Sequence, residues 1–157
     1  MKISEEFILR KFFVTILSLL ILSVVPAVSA TVDNVKKAII TQSLAMGVEP
    51  AIMLSIAKME SGFRQEARGT SGNVGVFQLY PATAKSMGYN AYNLEENIKA
   101  GITYYKNMYK RFDSMEMAVA AYNCGPDAVK RAKGVPTHSR GFVNRIMLDY
   151  KYFKAQK

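Results

Sequence analysis

The run Ile52-Met53-Leu54-Ser55-Ile56-Ala57-Lys58-Met59 is apolar and helical in character, and it ends in Glu60-Ser61-Gly62. Gly62 is a helix breaker. Glu60 therefore sits at a helix C-terminus, where the helix dipole disfavours negative charge. Where neighbours also strip away water, such a carboxyl rises in pKa and becomes a proton donor. The plainer reading is an exposed glutamate at a frayed helix end, and position alone does not choose between the two.

The surroundings of this run are helical as well. Val32, Val35, Ile39, Ile40 and Leu44 recur at helical spacing and predict a helix over residues 32–45. Pro50 suits the first turn of the Glu60 helix. Residues 61–74 are rich in Gly, Ser, Thr and Arg without an apolar period and read as a long loop. Val74, Val76, Phe77 and Leu79 suit either a short strand or an irregular buried turn. A helix from Pro81 ends before Gly88. Asn93-Leu94-Glu95-Glu96 looks like another N-terminus, with acids in the first turn of a helix running to about Phe112. Ser114 caps a helix to about Tyr122, which Gly125-Pro126 stops. A short helix over 127–133, a loop over 134–141 and a terminal helix over 142–153 complete the pattern. No stretch beyond the leader described next alternates long enough for a sheet, and no repeat or linker divides the chain.

The first 30 residues read as something else. Lys2, Arg10 and Lys11 form a basic start, residues 12–25 are nearly all apolar, and Val28-Ser29-Ala30 is a small-residue cleavage site. That is the pattern of a secretory signal peptide. The apolar run is short for a membrane span, which needs roughly 20 residues. The expectation is cleavage near Ala30, with retention as an anchor as the alternative, and one exported domain over 31–157. The whole chain of 157 residues is long enough for one domain with a real core.

From Thr31 onward 18 basic and 10 acidic residues remain, a net charge of +8. An exported basic protein suits an anionic envelope polymer or membrane surface better than nucleic acid. Cys124 is the only cysteine, so no internal disulfide forms and packing supplies the stability. His138 is the only histidine, and no ligand set with zinc-type spacing exists. No metal or other cofactor is expected. The nine tyrosines offer apolar bodies with polar tips, suited to a sugar groove or simply to packing.

Four ordered blocks carry a resemblance. They are Glu60-Ser61-Gly62-Phe63; Gly75-Val76-Phe77-Gln78-Leu79 with Pro81-Ala82-Thr83-Ala84; Asn97-Ile98-Lys99-Ala100-Gly101; and Ala120-Ala121-Tyr122-Asn123-Cys124-Gly125-Pro126 with Val143-Asn144-Arg145-Ile146. In these blocks the chain resembles the lysozyme-like soluble lytic transglycosylases, from about Leu44 to Tyr152. That family cleaves bacterial peptidoglycan without water. The resemblance implies a mainly α, lysozyme-like compact helical domain with a substrate groove and at most a very small strand element.

It also implies roles. The glutamate matching Glu60 is the family's catalytic acid and base. It protonates the glycosidic oxygen between N-acetylmuramic acid and N-acetylglucosamine, then accepts the proton of the muramic C6 hydroxyl as that oxygen attacks C1. The product is a 1,6-anhydro ring. Ordinary hydrolases use two carboxylates, and none of Glu66, Glu95, Glu96, Asp113 or Glu116 obviously fits the second role. The expectation is that the sugar's own N-acetyl group stabilises the developing charge.

Gln78 is expected to line the groove through its amide, or else to tie the loop to the core. Phe77 is expected to pack behind the site. Tyr122 is expected to reach toward the glutamate and substrate, its hydroxyl orienting the carboxyl. Asn123 is placed at the site, with a bond to backbone near Gly125 as its alternative role. Asn144 and Arg145 are expected near the groove on the last helix.

Three departures stand out. Many relatives carry serine where this chain has Gly69, so Thr70 or Ser71 is expected to supply the missing hydroxyl. Asn73 replaces a common small residue. Cys124 stands where alanine is common and is expected to pack. The partners expected are glycan strands of peptidoglycan, met by a periplasmic or envelope-associated monomer. A secretion, conjugation, pilus or phage machine spanning the envelope is a further candidate partner. The competing readings are a hydrolytic muramidase on the same fold and an inactive wall-binding module.

Overall fold

Seven α-helices and one 3-10 turn organise residues 31–156, the residues described by the computed structural model. The helices are α1 (Val32–Ala45), α2 (Pro50–Ser61), α3 (Pro81–Ser86), α4 (Leu94–Phe112), α5 (Met115–Cys124), α6 (Pro126–Ala132) and α7 (Arg140–Lys154), with the 3-10 turn at Thr137–Ser139. The expected signal peptide over residues 1–30 lies outside the described residues. No helix among the described residues is long and apolar enough to cross a membrane.

Local chemistry sets the helix starts. Thr31 accepts a hydrogen bond from the Asn34 N–H at 3.3 Å, Asn93 from Glu96 at 3.0 Å, and Ser114 from Met117 at 3.3 Å. Each such cap contributes about 1 kcal/mol. Pro50, Pro81 and Pro126 open α2, α3 and α6, where the missing N–H costs nothing. α2 stops at Gly62, whose φ of 61° is left-handed. There its N–H closes the last turn, as a side-chain-bearing residue does only under strain.

α2 is the axis of the domain. Seven consecutive residues, Ala51 to Ala57, are buried, so the helix is covered on every side rather than on one stripe. α1 and α7 pack directly on it. α4 lies against α1 and α5, and α5 also meets α6 and α7. Ile52, Met53 and Ile56 are at most 1% exposed, and each contributes roughly 1.5–3 kcal/mol by burial. Lys58 pairs with Asp149 at 2.5 Å and ties the rim of α2 to α7.

Between α2 and α3 the chain runs through turns with two isolated bridges, Arg68 to Val74 and Val74 to Leu79. Of the two readings the sequence left open for residues 74–79, the irregular buried turn is the one found. Asn97, fully buried on α4, holds this segment: its Oδ1 accepts from the Phe77 N–H at 2.9 Å, and its Nδ2 donates to the carbonyls of Val74 at 3.0 Å and Ala91 at 2.9 Å. Ser61 donates to the Val76 carbonyl at 2.8 Å from the other side. Phe77 is fully buried against Gly101, where an added Cβ would fall 2.3 Å from the Phe77 ring. Phe77 thus packs behind the site, as expected.

The terminal helix begins at Arg140, two residues earlier than the pattern predicts. The 3-10 turn inside the expected 134–141 loop already leaves Ser139 in right-handed geometry, so the helix continues straight through Gly141.

Candidate active site

Glu60 occupies the last turn of α2, one residue before the helix ends. It opens onto a cavity of about 430 Å³, within the size range of small-ligand sites. The walls come from four places: Asn73, Gln78 and Leu79 from the loop, Tyr80 and Thr83 at α3, Tyr104 from α4, and Tyr122 to Gly125 at the end of α5. Among the described residues Glu60 is the one carboxylate on this wall, and its carboxyl makes no hydrogen bond to protein. Burial pushes its pKa up from 4.5 to about 7. A frayed, exposed helix end is therefore not what the fold builds here. The carboxyl holds its proton near neutrality because the ionised form has lost water and gained no compensating donor.

Tyr122 is 8% exposed, and its hydroxyl donates to the Phe77 carbonyl at 2.9 Å. The expected orienting bond to Glu60 is not what its proton makes. The ring stands edge-to-face on Tyr104, centroids 5.1 Å apart and planes at 72°. Burial above all, and then the nearby Glu60 charge, hold the Tyr122 phenol well above its ordinary pKa. Burial does the same to Tyr104. Both therefore remain neutral and form a dry aromatic flank beside the carboxyl.

Gln78 lines the cavity, and its side-chain amide also ties the loop, so its two expected roles coincide. Nε2 donates to the carbonyls of Gly75 at 2.9 Å and Ala67 at 3.3 Å. Both amide hydrogens are used, which leaves Oε1 as an acceptor for a ligand. Gln78 itself sits at a φ of 45°, a left-handed conformation uncommon outside glycine. Asn123 also lines the cavity, exposed, and its Oδ1 accepts from the Ser139 hydroxyl at 3.1 Å. Its partner is thus the 3-10 turn and not the backbone at Gly125.

Four expected residues are not brought to this cavity. Thr70 and Ser71 are exposed on the outer turn of the loop and are absent from the wall. The cavity at Glu60 thus carries no hydroxyl from either residue. Asn144 and its neighbour Arg145 are exposed on α7 and also lie off the wall. The residues not anticipated are Asn73, Tyr80, Thr83 and Tyr104, which line the cavity from separate elements. Cys124 packs as expected: its Sγ donates to the Ala120 carbonyl at 3.1 Å, half-buried at the edge of the same wall. Among the described residues no three His, Cys, Asp or Glu side chains converge.

Comparison with known proteins agrees with this geometry. The family model described as Transglycosylase SLT domain matches residues 37–141. The transglycosylase of Enterobacteria phage PRD1 is 31% identical over 84 residues, 53% of this chain and 32% of that protein. The membrane-bound lytic murein transglycosylase F of Desulfosudis oleivorans is 31% identical over 97 residues, 57% of this chain and 21% of that protein. The chain thus spans a third or less of the length of these curated relatives.

Among solved structures, an inactive mutant of the lytic transglycosylase Slt of Pseudomonas aeruginosa aligns with a TM-score of 0.69 at 20% identity, covering 77% of this chain and 24% of that one. The 70 kDa soluble lytic transglycosylase of Escherichia coli aligns with a TM-score of 0.68 at 21% identity, covering 76% and 24%. At such identity the likeness speaks for the fold alone, which is the mainly helical, lysozyme-like one. With its family model matched over about two thirds of its length, the chain belongs to the Transglycosylase SLT domain family.

Proposed function

We propose that this protein is a lytic transglycosylase that cleaves the β-1,4 bond between N-acetylmuramic acid and N-acetylglucosamine in peptidoglycan, with Glu60 as its single general acid and base. The observation that carries the reading is the lone Glu60 carboxyl, raised to about 7 at a cavity walled by amides and phenols. Such a group is protonated at the start of the reaction and ionised once the proton has left, within a narrow pH range.

The steps balance on that one residue. Glu60 gives its proton to the glycosidic oxygen as the C1–O bond breaks, and N-acetylglucosamine departs with a new hydroxyl. The acetamido oxygen of the muramic sugar stabilises the positive charge at C1. The C6 oxygen then bonds to C1 while Glu60 accepts the C6 hydroxyl proton, which restores the acid and closes the 1,6-anhydro ring. A hydrolase of the two-carboxylate kind needs a second acid across the bond. The rest of the wall offers amides and phenols such as Gln78, Tyr104 and Asn123 instead. Phenols buried beside the carboxyl limit the access of a competing water.

The same proposal places the protein outside the cytoplasm, exported by the leader read in residues 1–30, and acting as a monomer on glycan strands of the periplasm or cell envelope. Service to an envelope-spanning secretion, conjugation, pilus or phage machine fits a domain of this size.

The test is digestion of purified peptidoglycan followed by mass spectrometry of the sugar ends. The expected products end in 1,6-anhydro-N-acetylmuramic acid, lighter by one water than the reducing sugar. The Glu60→Gln chain is expected to lose at least ~100-fold in rate, the lower end of what a positioned general acid supplies. Reducing muramic ends would make the protein a muramidase. Binding without any cleavage by the folded wild-type chain would make it a wall-binding module.

A further inference from the structure

Gly69 is a glycine for reasons of space. Its φ is not left-handed, so its backbone suits any residue. A Cβ there, however, would lie 2.0 Å from Asn73 Oδ1, 2.7 Å from Asn73 Cγ and 2.9 Å from Gln78 Oε1. The loop creates this overlap: the Gly69 N–H donates to the Asn73 carbonyl at 2.8 Å and the Gly72 N–H to the Gly69 carbonyl at 3.0 Å, folding residue 73 back across residue 69. The Asn73 side chain fills the volume that a side chain at 69 would take. A side chain at 69 and the Asn73 amide as placed here exclude each other.

That amide is unlike the others in and around the loop. The amides of Asn97 and Gln65 are both bonded to backbone groups, and Gln78 gives both its hydrogens to carbonyls. The Asn73 side chain makes no hydrogen bond among the described residues, yet it is only half-exposed and lies on the same wall as Glu60. Its oxygen is the atom nearest to where a Cβ at Gly69 would stand, so this end of the amide faces the loop. Its Nδ2 hydrogens are left for a ligand. Next to it, Gln78 Oε1 is left with acceptor capacity. A free donor and a free acceptor side by side match an acetamido group, which presents one C=O and one N–H.

We propose that Asn73 is a specificity-determining residue that donates to the acetamido carbonyl of an N-acetylated hexosamine while Gln78 Oε1 accepts from its N–H. The proposal rests on reading the cavity as a glycan site, and it identifies the group by which this chain tells an N-acetylated sugar from one with a plain hydroxyl at C2. A hydroxyl is too short to engage both amides.

The test is calorimetric titration of the full Glu60→Gln chain with two neutral β-1,4 tetramers, chitotetraose, which is N-acetylated, and cellotetraose, which is not. The expected result is tighter binding of chitotetraose. Adding Asn73→Ala should weaken chitotetraose about fivefold, the scale of one net hydrogen bond, with cellotetraose unmoved. Gly69→Ala should give a similar loss by displacing the amide. Unchanged chitotetraose affinity in Asn73→Ala overturns the proposal and leaves the glycan site standing. Equal losses for both tetramers also overturn it, since the residue would then shape the wall without reading the acetamido group. If the parent chain binds neither tetramer, the proposal and the glycan reading fall together.

Discussion

The Tyr122 hydroxyl donates to the carbonyl oxygen of Phe77 at 2.9 Å, across 45 positions of sequence. This bond stitches the end of α5 to the loop that carries Gln78, so the aromatic flank of the cavity and its amide wall are held in one register. It also fixes the phenol as a donor to backbone.

Tyr122→Phe keeps the ring and removes that donor. A buried carbonyl left without a partner costs about 1–3 kcal/mol. The expected outcome is a melting temperature lower by several degrees and a peptidoglycan-cleavage rate reduced about tenfold as the Gln78 wall loosens. A variant as stable and as active as wild type would show that the bond does not position the loop.

The rate should follow the protonation of Glu60. Its carboxyl is raised to about 7 by burial, and the acid form is needed to start the reaction. Turnover of soluble glycan strands at subsaturating concentration is therefore expected to be flat on this limb below pH 6. Above pH 7 it should fall tenfold per unit. A limb that breaks near pH 4.5 would mean the carboxyl is solvated and the site differently built.

The same shift predicts a stability signature with a definite sign. The folded pKa lies above the unfolded value, so the folded chain binds more protons than the unfolded chain between pH 4.5 and 7. Stability conferred by keeping Glu60 protonated is present below pH 4.5 and is lost as pH rises through 7. Glu60→Gln removes the ionisation. It should melt close to wild type at pH 4 and several degrees higher at pH 8.5, where the gain approaches about 3 kcal/mol. Calorimetric scans at the two pH values decide it. Equal offsets at both would exclude a titrating origin.

Asn97→Ala tests the anchor of the loop. Of its three bonded groups, the Val74 carbonyl keeps the Leu79 N–H and the Ala91 carbonyl keeps Gln65, so the Phe77 N–H alone is orphaned. One orphaned buried donor plus a small cavity costs about 2–4 kcal/mol. The urea midpoint should drop accordingly with the m-value unchanged.

Much of this was legible in the chain because the signals are local. The caps Asn93 and Ser114, the prolines 50, 81 and 126, and the stop at Gly62 each fix a boundary through their own backbone chemistry, and the helices begin or end there. Glu60 was nominated by its place at a helix end, but position alone left an exposed glutamate open, and it is burial in the fold that raises its pKa. The rest of the wall was not legible. Asn73, Tyr80, Thr83 and Tyr104 meet only because α4 passes beneath the loop, and no spacing encodes that approach. Thr70 and Ser71 were nominated by their adjacency to Gly69 alone, and the turn leaves both exposed and off this wall.

The enclosure of α2 has a consequence for how the protein fails. With Ala51 to Ala57 covered on every side, the amides of this helix reach solvent only when the whole domain opens, and they should be among the slowest to exchange with deuterium. The carboxyl lies just beyond that covered stretch, and the wall it faces comes from the loop. The site can therefore loosen before the helix opens, so heat inactivation should come no later than the loss of tertiary signal.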